Sequence, residues 1–195
     1  PQEMMNFTLD AFDLADKYLM PVLILSDGTV GQMMEAVEIP SNFNSNKQPK
    51  DWALTGCKGR EKNVVRSLWL DDSGVYENNI YLQKKYVTIN EKEVRFESYE
   101  TEDADVVFVA YGLPSRICRK VVNDYRKNGQ KVGMLRPITL YPYPYKEIER
   151  LINKGVKSFF VIEQSAGQMV EDVRLGVNGR VPVNFFGTLG GRVHG

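Results

Sequence analysis

Four turns of the sequence place polar or glycine residues directly after an apolar run, where a parallel sheet would present them to a ligand. In open α/β sheets, ligands bind outside the carboxyl ends of the strands. An arginine there grips a phosphate or carboxylate, and a glutamate acts as a general base or a hydrogen-bond partner. The candidate residues are Gly112 after VVFVAY, Arg136 after VGML, and Glu163 with Gln164 after FFVI. A fourth turn, with Ser26, Asp27 and Gly28, follows PVLIL.

The turn at Gly112 resembles the start of a phosphate-binding loop, but its spacing favours a structural turn. The stretch GLPSRI holds one glycine where a dinucleotide fingerprint needs three, and Pro114 lacks the amide that would face a phosphate. We therefore predict that Gly112 permits the turn and that Ser115 caps the following helix.

Glu163 and Arg136 each allow two interpretations. Glu163 could act on a ligand or a neighbouring subunit, or it could be a carboxylate stabilised by the dipole of a nearby helix N-terminus. Arg136 could bind an anion, although a structural salt bridge is the favoured interpretation. Gln164 lies in the same turn as Glu163 and is predicted as a ligand or subunit contact.

Composition excludes several classes of function. Lys+Arg and Asp+Glu are equal at 25 each, which argues against a nucleic-acid-binding face. The longest apolar runs fall far short of the ~20 residues of a membrane span. Two distant cysteines, Cys57 and Cys118, favour a reducing, cytoplasmic compartment. The chain does not begin with Met, so we expect a fragment of a longer protein.

The sequence contains no complete catalytic constellation. It has no Ser/His/Asp set, no HExxH motif and no Cys/His cluster, and the lone His194 stands one residue from the end. We predict neither a catalytic residue nor a metal ligand in this chain.

The pattern of elements divides the chain into residues 1–39, 40–103 and 104–195. The first segment predicts a helix with Thr8 at its N-cap, the strand PVLILSD and the helix GTVGQMMEAV. The second is an irregular connector that ends in a helix-to-strand passage. The third alternates four strands with three helices, which predicts a three-layer α/β/α domain with a largely parallel sheet.

Five segments, in order along the chain, resemble the alpha subunit of 2-oxoacid:ferredoxin oxidoreductases, most closely the 2-ketoisovalerate type. They are MNFTLDAFDLADKYLMPVLILSDGTVGQM, WALTGCKGRE, KYVTINEKEVRFESYETEDADVVFVAYG, KVGMLRPITLYPYP and VIEQSAGQMVEDVRLGV. The resemblance implies a thiamine-diphosphate enzyme that oxidatively decarboxylates a 2-oxoacid, transfers the acyl group to coenzyme A and reduces ferredoxin.

The resemblance also implies a division of labour among chains. Residues 1–39 would be the end of a thiamine-binding domain, with Ser26, Asp27, Gly28 and Gln32 near the cofactor. Residues 104–195 would resemble the C-terminal domain of transketolases. Mg²⁺, thiamine diphosphate and the iron–sulfur clusters would lie largely on a beta subunit and a ferredoxin-like gamma subunit, so no cofactor is expected on this segment.

Alternatives remain open at this stage. The chain could be a self-sufficient nucleotide- or CoA-binding module, a transketolase or 2-oxoacid dehydrogenase beta-type subunit, or a 2-oxoglutarate- or pyruvate-specific member of the same family. The aromatic stretch LYPYPYKE is predicted to pack against a partner chain. Apolar faces that include Val22, Ile24 and Met33 are predicted to be covered by the second domain or in a homodimer.

Overall fold

The computed structural model describes residues 1–40 and 50–190 of the chain. The chain divides into two compact units, Pro1–Tyr86 and Val87–Gly195. Helix α3 (Asp72–Lys92) runs across this division. Its start is stabilised by Asp71, whose Oδ1 accepts the backbone N–H of Gly74 at 2.5 Å. None of the helices in the described part of the chain is long and apolar enough to cross a membrane.

The first unit begins with a helix that starts earlier than predicted. Helix α1 spans Gln2–Tyr18 with Pro1 at its N-cap, so the predicted N-cap at Thr8 was wrong. The Thr8 hydroxyl donates instead to the carbonyl of Met4 at 2.8 Å, one helical turn earlier. The predicted helix over GTVGQMMEAV is shortened to α2 (Gly28–Gln32).

The predicted strand over PVLILSD is wrong, because residues 21–27 form no strand. Residues 21–27 pair with no other strand in the described part of the chain, and a strand needs a neighbour for its backbone groups. Its apolar side chains are correspondingly exposed, 79% for Leu23 and 41% for Val22. Ile24 and Met33 are each 36% exposed. The predicted cover of these side chains, by the second domain or in a homodimer, stays a prediction.

The second unit is built on one five-stranded sheet with the order β1-β3-β2-β4-β5. Strands β2 to β5 are parallel to their neighbours, and β1 joins β3 antiparallel. The strand bounds are β1 Phe96–Tyr99, β2 Val106–Val109, β3 Val132–Pro137, β4 Ser158–Glu163 and β5 Val183–Gly187. The sequence predicted the four parallel strands correctly, while β1 extends the sheet with residues that were assigned to the connector.

Helices cover both faces of the sheet. Helix α4 (Gly112–Lys127) packs Cys118 and Val122 against one face. Helices α5 (Tyr145–Asn153) and α6 (Met169–Val177) cover the other face and bury apolar residues at helical spacing. In β2, Val107 and Val109 face α5 and α6, while Phe108 faces α4. This alternation gives the second unit two core layers, one on each side of a sheet that is mostly parallel.

Candidate functional site

The sheet order brings two of the predicted turns together. Strands β2 and β4 are neighbours, but the chain leaves β2 toward β3 and leaves β4 toward β5, on opposite sides. This reversal is the topological switch point, where open α/β sheets form a crevice for ligands. The turn with Gly112 and the turn with Glu163 border this crevice. Arg136 lies one residue before the end of β3, which β2 separates from β4.

Gly112 makes the turn from β2 into α4. Its φ of 58° lies in the left-handed region, which a glycine adopts without the strain that a side chain would cause. Helix α4 begins at Gly112 itself, three residues before the predicted start, with Tyr111 at the N-cap. Ser115 therefore lies inside the first turn and is not the cap. Its hydroxyl donates to the carbonyl of Gly112 at 2.7 Å.

Glu163 is buried at the end of β4 and caps helix α6 with its side chain. The residue is 2% exposed. Its Oε1 accepts the backbone N–H of Val170 at 3.1 Å, and its Oε2 accepts that of Met169 at 3.1 Å. The N–H of Gln168 lies 3.2 Å from both oxygens. The first N–H groups of a helix have no partner within the helix, so the Glu163 carboxylate supplies their hydrogen-bond acceptors. Its negative charge is also favoured at the positive end of the helix dipole.

The loop between β4 and α6 is folded tightly around this carboxylate. Ser165 Oγ donates to Glu163 Oε2 at 2.9 Å and accepts the N–H of Gly167 at 3.1 Å. Gly187, at the end of β5, leaves room for the loop: a Cβ there would collide with the carbonyl oxygen of Ser165 and with the Phe185 ring. Gln164 is half-buried in this loop. Its predicted role as a ligand or subunit contact stays a prediction.

Tyrosines from the LYPYPYKE stretch lie beside α6. The Tyr145 hydroxyl donates to Asp172 Oδ1 at 2.5 Å, and the rings of Tyr143 and Tyr145 are 5.2 Å apart. Tyr143 is 5% exposed, and its hydroxyl has no hydrogen-bond partner in the described part of the chain. Burial, assisted by the nearby carboxylates of Asp172 and Glu163, raises the pKa of Tyr143 well above its ordinary value. Tyr143 is thus a neutral hydroxyl in a buried, acidic neighbourhood.

Arg136 is engaged by the antiparallel strand. Its Nε lies 3.1 Å from Oε2 of Glu97, the residue directly opposite it on β1. Arg119 of α4 contacts the other oxygen of Glu97 and stacks on Tyr99 with 4.4 Å between the guanidinium carbon and the ring centroid. This ion-pair network ties β1, β3 and α4 together. It fits the structural salt bridge that the sequence favoured for Arg136, and a role of Arg136 in binding a ligand stays a prediction.

The residues predicted near thiamine lie in the first unit. Ser26, Gly28 and Gln32 are exposed, and Asp27 is half-buried. Apart from its chain neighbours and its own helix backbone, no heavy atom lies within 4 Å of a Cβ built on Gly28, so the space beside Gly28 is open. Within residues 1–40 and 50–190, no group of three or more His, Cys, Asp or Glu side chains is placed to hold a metal ion.

The sequence placed Ser165 in the turn after FFVI and Tyr143 in the stretch LYPYPYKE, but it did not predict a site role for either residue or for Asp172. The signal for Ser165 is the spacing ExS just before a helix, where side-chain oxygens accept the free N–H groups of the first turn. No comparable local signal marks the hydrogen bond from Tyr145 to Asp172, which joins α5 to α6 across 27 positions of the chain.

The sheet order, its switch point and the helices on both faces define a doubly wound α/β domain. Residues 104–195 match the family model of the pyruvate:ferredoxin oxidoreductase core domain II. The chain is 43% identical over 192 residues to the ketoisovalerate oxidoreductase subunit VorB of Methanothermobacter marburgensis. It is 31% identical, over an alignment of 218 residues, to the 2-oxoglutarate synthase subunit KorA of Methanocaldococcus jannaschii. The chain belongs to the alpha-subunit family of 2-oxoacid:ferredoxin oxidoreductases, as its five segments indicated.

The matches to the two relatives cover nearly the whole chain but only part of each relative. The VorB match covers 98% of this chain and 54% of the relative, and the KorA match covers 99% and 58%. A 2-oxoglutarate:ferredoxin oxidoreductase from Magnetococcus marinus, solved with 2-oxoglutarate, coenzyme A and succinyl-CoA bound, shares the fold with a TM-score of 0.53 at 15% identity. That structural match covers 76% of this chain and 26% of the solved one. The chain thus spans about half the length of its curated relatives.

Proposed function

We propose that this chain is part of the alpha subunit of a thiamine-diphosphate-dependent 2-oxoacid:ferredoxin oxidoreductase that acts on a branched-chain 2-oxoacid such as 2-ketoisovalerate. In the overall reaction, the 2-oxoacid and coenzyme A give an acyl-CoA and CO₂, and two electrons reduce ferredoxin. The observation that carries the substrate class is the gradient of identity. The chain is 43% identical to two ketoisovalerate subunits and 27–31% identical to four 2-oxoglutarate subunits. Two pyruvate synthase subunits match at 36–37%, over shorter stretches of 69 and 155 residues.

We further propose that the segment builds structure and subunit contacts and supplies no catalytic group. The buried carboxylate most suited to acid–base chemistry, Glu163, accepts hydrogen bonds from one hydroxyl and three backbone N–H groups. Residues 1–39 would end the thiamine-binding domain, 40–103 would connect, and 104–195 would form a domain like the C-terminal domain of transketolases. The exposed apolar side chains of residues 22–25 support a covering surface that belongs to the complete subunit or to a second copy.

The partners follow from this role. A beta subunit would bind thiamine diphosphate with Mg²⁺, iron–sulfur clusters would lie on the beta or a ferredoxin-like gamma subunit, and ferredoxin would accept the electrons. The assembly would be a cytoplasmic enzyme that binds neither nucleic acid nor membrane. An equal number of acidic and basic side chains supports that view.

The substrate class is tested on the full-length subunit assembled with its partner subunits. Initial rates of acceptor reduction are measured with coenzyme A and 2-ketoisovalerate, 2-oxoglutarate or pyruvate in turn. We expect 2-ketoisovalerate to give the highest kcat/KM. A higher kcat/KM with 2-oxoglutarate or pyruvate would reject the branched-chain assignment and keep the family.

The structural role is tested on the 195-residue chain alone. Isothermal titration with thiamine diphosphate plus Mg²⁺, and separately with coenzyme A, should release no binding heat. Saturable binding of coenzyme A would favour the alternative of a self-sufficient CoA-binding module and direct mutagenesis to Gly112, Arg136 and Glu163. Saturable binding of thiamine diphosphate would contradict a cofactor site that is completed by the partner subunit.

A further inference from the structure

Residues 96–103 form an acidic strap along one edge of the second unit. The strap consists of β1 and the turn that follows it. Its eight residues carry four acidic side chains and no basic ones. In the described part of the chain, β1 pairs only with β3, and Thr101 is the one buried residue of the strap. A short edge strand with so little apolar packing is expected at the low end of local stability.

Arg126 of α4 binds the turn of the acidic strap. Its Nη1 lies 2.8 Å from Oδ1 of Asp103 and 4.0 Å from Oε2 of Glu100. Its Nη2 donates to the backbone carbonyl of Glu100 at 2.5 Å, and its Nε donates to the carbonyl of Val132 in β3 at 2.7 Å. One guanidinium group therefore ties the strap to a helix and to the neighbouring strand.

The other two acidic side chains of the strap are also paired. Oε1 of Glu102 lies 3.2 Å from Nη1 of Arg150 on α5, and its Oε2 contacts Nζ of Lys154 at the end of that helix. Glu97 is held by the two arginines of α4 and β3 described above. Ion pairs to α4, β3 and α5 thus fasten the strap along its length.

The backbone of the strap works against these ion pairs. Glu100 has a φ of 52°, in the left-handed region that a residue with a side chain rarely adopts. Its carbonyl lies so close over Gly133 that a Cβ there would be 2.5 Å from the oxygen. A strap released from its ion pairs can leave this conformation, so the backbone strain favours release.

We propose that the acidic strap is a conformational device: its ion pairs keep it closed at low ionic strength, and high ionic strength opens it while strands β2 to β5 stay folded. The side chains of Glu100, Glu102 and Asp103 are each at least half exposed, so dissolved ions screen their pairs. The parallel strands rest on apolar packing instead, with Val107 and Phe159 fully buried.

Opening of the strap changes the charge that the second unit presents. Arg119, Arg126 and Arg136 lose their acidic partners in the strap, and these cations then face solvent or an acidic partner. The device therefore couples ionic strength to the surface charge of this unit. It does not depend on the substrate of the enzyme.

The proposal is tested by native-state hydrogen exchange of the 195-residue chain, followed by NMR. Exchange is measured in about 0.1 M and about 1 M sodium chloride, between which the screening length falls from about 10 Å to about 3 Å. We expect the hydrogen-bonded amides of β1 to lose about tenfold in protection at the higher salt, as several exposed ion pairs weaken together. The amides of β4 should keep their protection.

A pair of variants tests whether Arg126 fastens the strap. Arg126→Gln should lower the protection of β1 at low salt toward the high-salt value of wild type. Lys127→Gln is the matched control, because Lys127 is 77% exposed and pairs with Asp124 of its own helix. It should leave the protection of β1 unchanged.

The wild-type measurement decides the proposal even if Arg126→Gln fails to fold. Equal loss of protection in β1 and β4 would mean that the strap opens only with the whole unit, and the proposal would be wrong. Protection of β1 that does not change with salt would also overturn it.

Discussion

Glu163 and Val170 are joined by a hydrogen bond of 3.1 Å from the backbone N–H of Val170 to the side-chain Oε1 of Glu163. The bond connects the last residue of β4 to the first turn of α6, seven positions further along the chain. A strand end and a helix start are therefore held together by a side chain that lies in the core. This contact fixes the start of α6 to the end of β4 beside the switch point.

Replacing Glu163 by Gln should destabilise the second unit strongly. A glutamine offers one acceptor oxygen and turns an amide NH₂ toward donors, so buried N–H groups at α6 lose their partners. We expect a loss of about 2–3 kcal/mol in the free energy of unfolding, the scale of charge-assisted hydrogen bonds and buried unsatisfied groups. Urea unfolding followed by circular dichroism measures it. The exposed Glu171→Gln on the same helix should change stability by less than about 0.5 kcal/mol, and equal losses in the two variants would refute the capping role.

Replacing Gly187 by Ala should disturb the loop without touching Glu163. The added methyl group would meet the backbone carbonyl of Ser165, which cannot move away as the end of a side chain can. Overpacking of this kind costs about 1–3 kcal/mol. Gly190→Ala is the matched control, because a Cβ at Gly190 meets no atom within 4 Å. If urea midpoints of the two variants coincide, the close approach at Gly187 is not a constraint.

Glu147 should make stability depend on pH in acid. It is buried on α5, where Arg150 Nε donates to its Oε2 at 2.7 Å and Ser98 Oγ donates to its Oε1 at 2.6 Å. Burial alone would raise the pKa of Glu147, but these hydrogen bonds outweigh it and hold the pKa below the ordinary 4.5. The stabilisation is therefore fully present above that value and is lost as the pH falls through the lower, folded-state pKa.

The test compares Arg150→Gln with wild type in urea midpoints measured from neutral pH to about pH 3. Without Arg150 the carboxyl loses its main hydrogen-bond donor, so the variant should start less stable and lose less on acidification. Arg174→Gln, at an exposed position of α6, should follow the wild-type curve. Parallel acid curves for Arg150→Gln and wild type would show that another group causes the pH dependence.

The two cysteines should differ in reactivity toward iodoacetamide. Cys57 is exposed, whereas Cys118 is 2% exposed inside the α4 face of the core. Burial raises the pKa of the Cys118 thiol to about 11, so at neutral pH almost none of the reactive thiolate is present. Peptide mass spectrometry should find Cys57 labelled in native protein and Cys118 labelled only in urea. In a Cys57→Ser variant, rapid native labelling would indicate that the α4 face opens.

The second unit was largely predictable because its signals are local. Alternating apolar runs and helical spacing gave the four parallel strands and the three helices between them, and the parallel connections implied helices on both faces. The first unit was less predictable from the sequence. PVLIL reads as a buried strand by composition, but a strand forms only when a neighbour pairs with it, and composition carries no information about that neighbour.

The candidate site was predictable in position but not in detail. The sequence placed Gly112 and Glu163 at the carboxyl ends of parallel strands, but it did not predict the strand order that makes β2 and β4 neighbours at the switch point. The bonding of Glu163 depends on where the loop of residues 164–168 turns back, and a loop path is set by packing such as that at Gly187. The antiparallel addition of β1, and with it the pairing of Arg136 with Glu97, is a long-range choice that no local pattern encodes.

The antiparallel strand β1 has a practical consequence for anyone who expresses the domain. The family match begins at residue 104, but Phe96–Tyr99 supplies the hydrogen bonds along the outer side of β3. A protein trimmed to the matched residues would leave the backbone of β3 bare on that side. Bare strand edges pair with other chains, so such a product should form intermolecular sheets. Starting the protein upstream of Phe96 keeps this edge closed.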